Sequence, residues 1–94
     1  MAFKWPDKDP SEKLDYLLDW SAPLGDDTID TVVWSVVSGG VTLSNESHTE
    51  KAATVWVDGG TVSPANEPAK VQCKITTVGG RKFTETGLIL IVAK

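Results

Sequence analysis

Residues 70–92 read KVQCKITTVGGRKFTETGLILIV, and this stretch decides the fold. Two strand-length runs, Lys70–Val78 and Arg81–Val92, flank Gly79-Gly80. Paired glycines reach positive φ at no steric cost, and they suit a two-residue hairpin turn whose twist matches that of the strands. Such a turn sets the register, with Thr76 opposite Phe83, Lys74 opposite Glu85 and Val71 opposite Leu88. Lys74 and Glu85 are then a cross-strand ion pair worth about 0.2–1 kcal/mol. One face carries Val71, Cys73, Ile75, Leu88, Leu90 and Val92 and is expected to be core. Ile89 and Ile91 fall on the other face, and a strand apolar on both sides is buried on both sides. They are expected to meet the chain's own N-terminal segment, with Phe3 and Trp5, or another subunit. A bulge at Gly87 would reset the phase and exchange these faces.

Working outward, the same alternation recurs. Leu14, Tyr16, Leu18 and Trp20 share one face of a first strand, with Leu17 the apolar misfit on the polar face. Ile29–Val37 is a second strand with Val32, Trp34 and Val36 in phase. Val41–Leu43 is a short third strand, and Ala53–Val57 a fourth with Trp56 opposite the Val55 and Val57 face. Ala22–Thr28, Asn45–Glu50 and Ser63–Pro68 read as loops. Val, Ile and Thr supply 25 of the 94 residues, and β-branched side chains fit a pleated surface. Short strands with regular Gly and Pro punctuation predict an all-β antiparallel sandwich with Greek-key-like connections, spanning residues 13–94. Residues 1–12 form an extended N-terminal arm, because Trp5-Pro6 and Asp9-Pro10 hold the preceding residues out of the helical region. A single capped helical turn at Ser11–Leu14 is the alternative there.

Ninety-four residues make one domain, with room for one core and little for a deep catalytic cleft. The net charge is −4, and the nine cations are scattered, which argues against a nucleic-acid footprint. Residues 1–30 hold eight acids against three lysines, a solvated face or a surface for a basic partner. Met1–Asp9 is too polar for a secretory leader, and Leu88–Ala93 is too short to cross a bilayer. One Cys allows no internal disulfide, as expected for reducing cytosol.

Catalytic and metal constellations do not emerge. His48 sits in a polar turn with no nucleophile at a strained position beside it. Cys73 lies on the expected core face, and one His with one Cys cannot make a structural zinc site. Asp26, Asp27, Asp30 and Asp58 match no calcium-loop spacing and read as turn formers. No catalytic residue, metal or cofactor is therefore assigned, and the chain is not expected to be an enzyme. Four Trp remain to be placed. Trp20 and Trp34 read as core, while Trp5 and Trp56 are available to stack on a sugar or a protein partner.

Phe3-Lys4-Trp5-Pro6, Lys8-Asp9-Pro10, Leu14-Asp15-Tyr16, Asp19-Trp20-Ser21, Asp27-Thr28-Ile29, Trp34-Ser35-Val36, Val55–Thr61 and Ile75–Arg81 follow one another in this order. The set resembles a family of small tailed-bacteriophage virion proteins with an immunoglobulin-like domain, the fibre–tail adaptor or pre-neck appendage proteins. Where that family has a Gly-rich step and an aromatic residue after Gly59-Gly60-Thr61, this chain has Ser63–Lys70. The resemblance implies an immunoglobulin-like sandwich and a structural subunit of the virion that joins tail or neck components to fibres. Such a subunit is expected in several copies around a symmetric tail or neck ring after a stage in the host cytoplasm, and the charge and the short apolar run leave it no nucleic-acid or membrane partner. The residues expected to meet partners are Phe3, Trp5, Trp56, Ile89 and Ile91. A carbohydrate-binding or adhesin-type β-sandwich is the alternative.

Overall fold

The computed structural model describes residues 2–62 and 67–94. Residues 63–66 of the loop expected at Ser63–Pro68 lie outside the described residues. Seven strands and one helical turn follow in order: β1 Ala2–Lys4, β2 Lys13–Asp19, α1 Ser21–Leu24, β3 Ile29–Ser38, β4 Val41–His48, β5 Ala52–Gly59, β6 Ala69–Thr77 and β7 Lys82–Ile89. They build two sheets, one ordered β1-β7-β6-β3 and the other β2-β5-β4. All pairings are antiparallel except β1 with β7. This is an all-β sandwich of the immunoglobulin-like kind.

Alternation produces the core. Leu14, Tyr16 and Leu18 of β2 stand opposite Val57, Val55 and Ala53 of β5. Val71, Cys73 and Ile75 of β6 face them from the other sheet, each at most 1% exposed. Burying one such aliphatic side chain contributes about 1.5–3 kcal/mol. Trp20 and Trp34 join this core, as their phase predicts. Gly39-Gly40 carries the chain from β3 in one sheet to β4 in the other.

The hairpin differs from expectation by one residue, with large consequences. Gly80 N–H donates to Thr77 O at 3.0 Å, Thr77 N–H donates to Arg81 O at 2.8 Å, and Gly80 has φ 92°. The loop is thus the three residues Val78-Gly79-Gly80, a turn closed by one left-handed residue. The register becomes Cys73 opposite Glu85 and Val71 opposite Gly87. A one-residue slip moves every side chain to the other face. Ile89 and Ile91 therefore enter the core at 0% exposure, while Leu88, Leu90 and Val92 are only half-buried. The Lys74–Glu85 pair does not form, since Lys74 stands opposite Thr84 and Glu85 points inward at 6% exposure.

Two loops also differ, and a third segment follows the expected arm. β4 runs on through the expected Asn45–Glu50 loop as far as His48, by means of a bulge between Ser44 and Ser47 in which Asn45 takes φ 49°. Ser21–Leu24 coils into one helical turn, because Asp19 Oδ1 accepts from Ser21 N–H and the sequence then buries Leu24. No helical turn forms at Ser11–Leu14. Instead the Asp9 carboxylate accepts from Ser11 N–H at 2.8 Å, and Glu12 Oε1 accepts from Asp9 N–H at 2.7 Å.

The N-terminal segment runs beside β7 throughout. Ala2, Phe3 and Lys4 pair with Thr86, Gly87 and Leu88. Trp5 N–H donates to Leu88 O, Lys8 N–H donates to Leu90 O, and Val92 N–H donates to Lys8 O. These bonds satisfy an edge that would otherwise invite aggregation.

Candidate docking surfaces

The five residues expected to meet partners do not assemble into one surface. Trp5, Ile89 and Ile91 are inside the molecule at 7%, 0% and 0% exposure. The Trp5 ring stacks on Tyr16 with centroids 4.8 Å apart and lies 6.1 Å from Trp34. Its Nε1–H donates to Leu17 O at 3.3 Å. These three are corrected from partner contacts to core, and the shifted hairpin register is the reason. Phe3 is placed by its backbone opposite Gly87, and its side chain lies outside the described residues. Trp56 alone of the described four reaches an outer face.

Trp56 sits at the middle of the β2-β5-β4 sheet. Asp15 of β2 and Ser44 of β4 flank it on either side. Leu17, 55% exposed, is its diagonal neighbour across Thr54. The misfit read in the sequence is therefore the exposed half of an outward-facing apolar pair, with Trp56 half-buried beside it. Around it stand Asp15, Asp19 and Asp58, all exposed, with Lys13 as the countercharge. The face is flat, apolar at its centre and acidic at its margin.

The outer face of the β1-β7-β6-β3 sheet has the opposite sign. Lys4, Lys70, Lys74 and Lys82 are all exposed there. Their cross-strand neighbours are Leu88, Ser38, Val33, Thr84 and Thr76, and no carboxylate occupies a paired outward position of this sheet. Pro68, Leu88, Leu90 and the stem of Lys4 line a shallow depression of about 170 Å³. Sequence reading missed this face. Its lysines are scattered along the chain, and only the register gathers them.

A third feature is the open side between β3 and β4. A cleft of about 310 Å³ is lined there by Asp30, Trp34, Glu46, Ser47 and His48, with Thr31 and Val32. His48 is exposed, and its Nδ1 lies 2.9 Å from Thr49 O. Among the described residues no three His, Cys, Asp or Glu side chains stand close enough to hold a metal ion. Asp27, one of the four aspartates weighed for calcium, is engaged in pinning the hairpin. It accepts from Gly79 N–H at 3.0 Å and from Arg81 Nε–H at 3.1 Å. Bonds from Thr77 first, then from Gly79, Thr28 and Arg81, hold its carboxyl well below the usual range.

The architecture defines the class: a small immunoglobulin-like β-sandwich whose exposed features are sheet faces and an edge cleft. Among solved structures it resembles an endo-fucoidan hydrolase of glycoside hydrolase family 107, MfFcnA4, with TM-score 0.61 and 14% identity over 99% of this chain. A variant of that enzyme gives TM-score 0.63 at 12% identity. The chain spans only 13% of either enzyme's length. It also resembles the PKD domain from the KIAA 1837 protein, with TM-score 0.52 and 18% identity, covering 96% of this chain and 85% of that one. At these identities the likeness establishes fold alone. A search of curated protein sequences gives no match. The sequence matches the family described as podophage GP4 fiber-tail adaptor protein gp77 over residues 8–90, and the chain belongs to that family. Membership implies a place in the virion and supports a structural adaptor role.

Proposed function

We propose that the chain links tail or neck components to fibres by surface complementarity, with the Trp56 face as a docking surface. The observation that carries this reading is a half-buried indole beside an exposed leucine at the centre of a sheet's outer face, in a family of adaptors. Aromatic anchors at the centre of a contact, ringed by polar groups, are where binding energy concentrates. Several copies act in each virion, after synthesis in the host cytoplasm. The linkage needs no catalytic step, cofactor, membrane or nucleic acid.

The test is genetic complementation. Phage lacking the gene should yield tails without fibres, and the wild-type chain supplied in trans should restore them. Trp56→Ala with Leu17→Ser should restore few or none while folding normally. Fully fibred tails from the knockout would overturn the reading. The alternative glycan-binding reading draws on one observation, the placement of Trp56 between Asp15 and Ser44 on a flat face. A glycan array separates the two, because an adaptor should give no signal.

A further inference from the structure

We propose that copies of this chain stack head to tail, the acidic Trp56 face of one against the basic face of the next. The inference rests on the adaptor reading and names the partner at that surface as a second copy. The two outer faces carry opposite charge although the molecule as a whole is acidic. Lys4, Lys70, Lys74 and Lys82 stand on one, and Asp15, Asp19 and Asp58 stand on the other with Lys13.

The charges also match in spacing. Lys70 and Lys74 are four residues apart on β6, as are Asp15 and Asp19 on β2. Four residues of extended strand put both pairs at about 13 Å. The apolar parts are complementary in kind: Trp56 and Leu17 project from the acidic face, and the basic face has the Pro68, Leu88 and Leu90 depression. The molecule measures 42 × 24 × 17 Å. Its broad sides can therefore supply the roughly 800 Å² per partner that a stable interface buries.

Each copy has one face of each kind, so the contact is heterologous. It propagates into a ring or a stack instead of stopping at a dimer. Exposed ion pairs add little affinity one by one, so the charges set orientation and register while the apolar centre holds the contact. Like faces repel, which excludes the symmetric alternatives.

Sedimentation velocity on the full chain, from micromolar to millimolar protein, tests this. Association should appear at low salt and weaken about tenfold or more by about 0.5 M NaCl, where the Debye length is only a few ångströms. Lys70→Glu, Lys74→Glu and Lys82→Glu together make both faces acidic, and Asp15→Lys with Asp58→Lys makes both basic. Each of these two variants should be monomeric, with a wild-type circular dichroism spectrum. An equimolar mixture of the two should associate again. A wild-type chain that stays monomeric at low salt, variants that associate as the wild type does, or folded variants whose mixture remains monomeric would each overturn the proposal. Fibre loss in the knockout phage alongside a monomeric protein overturns only the stacking. Association alongside fully fibred knockout tails overturns only the adaptor reading.

Discussion

Gly87 lacks a side chain because Trp5 occupies its place. A Cβ there would stand 2.4 Å from Trp5 Cζ3, and the indole has no room to retreat between Gly87 and Tyr16. Gly87→Ala should destabilise the fold by about 1–3 kcal/mol through overpacking, as measured by urea denaturation. Trp5→Ala should cost about 3–5 kcal/mol. The sharper expectation is the coupling: in the Trp5→Ala background, Gly87→Ala should cost almost nothing. Equal cost in both backgrounds would mean that the ring does not dictate the glycine. Cys73 offers a second check at this scale. It is fully buried, and burial pushes its thiol up to about 12. The native protein should resist a maleimide that labels the urea-unfolded chain promptly, and rapid native labelling would contradict the packing. Lys8, also fully buried, survives because its Nζ donates to Asp9 O and Gly59 O, and burial lowers its pKa.

At the scale of elements, the β6–β7 hairpin depends on one left-handed residue. Gly80 holds φ 92° with open space around it, so an added side chain meets backbone strain and no clash. Gly80→Ala should therefore cost about 1–3 kcal/mol, read from the urea midpoint. A smaller loss would indicate that the loop has relaxed to another turn. This hairpin also shows the limit of sequence reading. Both strands were legible from their runs of alternating residues, yet their register was not. Gly79-Gly80 fits a two-residue turn as well as a three-residue one, and the choice between them lies in Asp27, which binds Gly79 and Arg81 from 52 and 54 residues away. The continuation of β4 through Asn45–His48 was hidden for a related reason. A bulge inserts residues that break the period of two.

Across the whole molecule, several carboxylates tie distant parts of the chain together. Asp9 accepts from Ser11 Oγ–H and from Lys94 N–H, and these bonds hold its carboxyl down to about 2. Glu12 is lowered chiefly by the bond from Asp9 N–H, then by Lys94, whose Nζ is 2.9 Å away. Asp27 is lowered by its bonds at the hairpin. Each folded pKa lies below its unfolded value, so the folded state binds fewer protons in that range. The stabilisation is full above the ordinary carboxylate range and is lost as pH falls through about 4 toward 2. Urea midpoints should be level from pH 7 to 5 and fall clearly by pH 3. Asp27→Asn should flatten part of that fall, and an unchanged profile would remove Asp27 from this role.

Alternation, glycine corners and β-branched content by themselves determined an all-β sandwich, the membership of Trp20, Trp34 and Cys73 in the core, and the place of Trp56 on the face opposite Val55 and Val57. These follow from local periodicity, which a linear sequence carries intact. The tertiary structure alone decided which face of β7 turned inward, that Trp5 and Ile89 are core, and that four dispersed lysines share one face opposite three aspartates. Those outcomes rest on register between strands distant in sequence, and one residue of slip in a single turn is enough to reverse them.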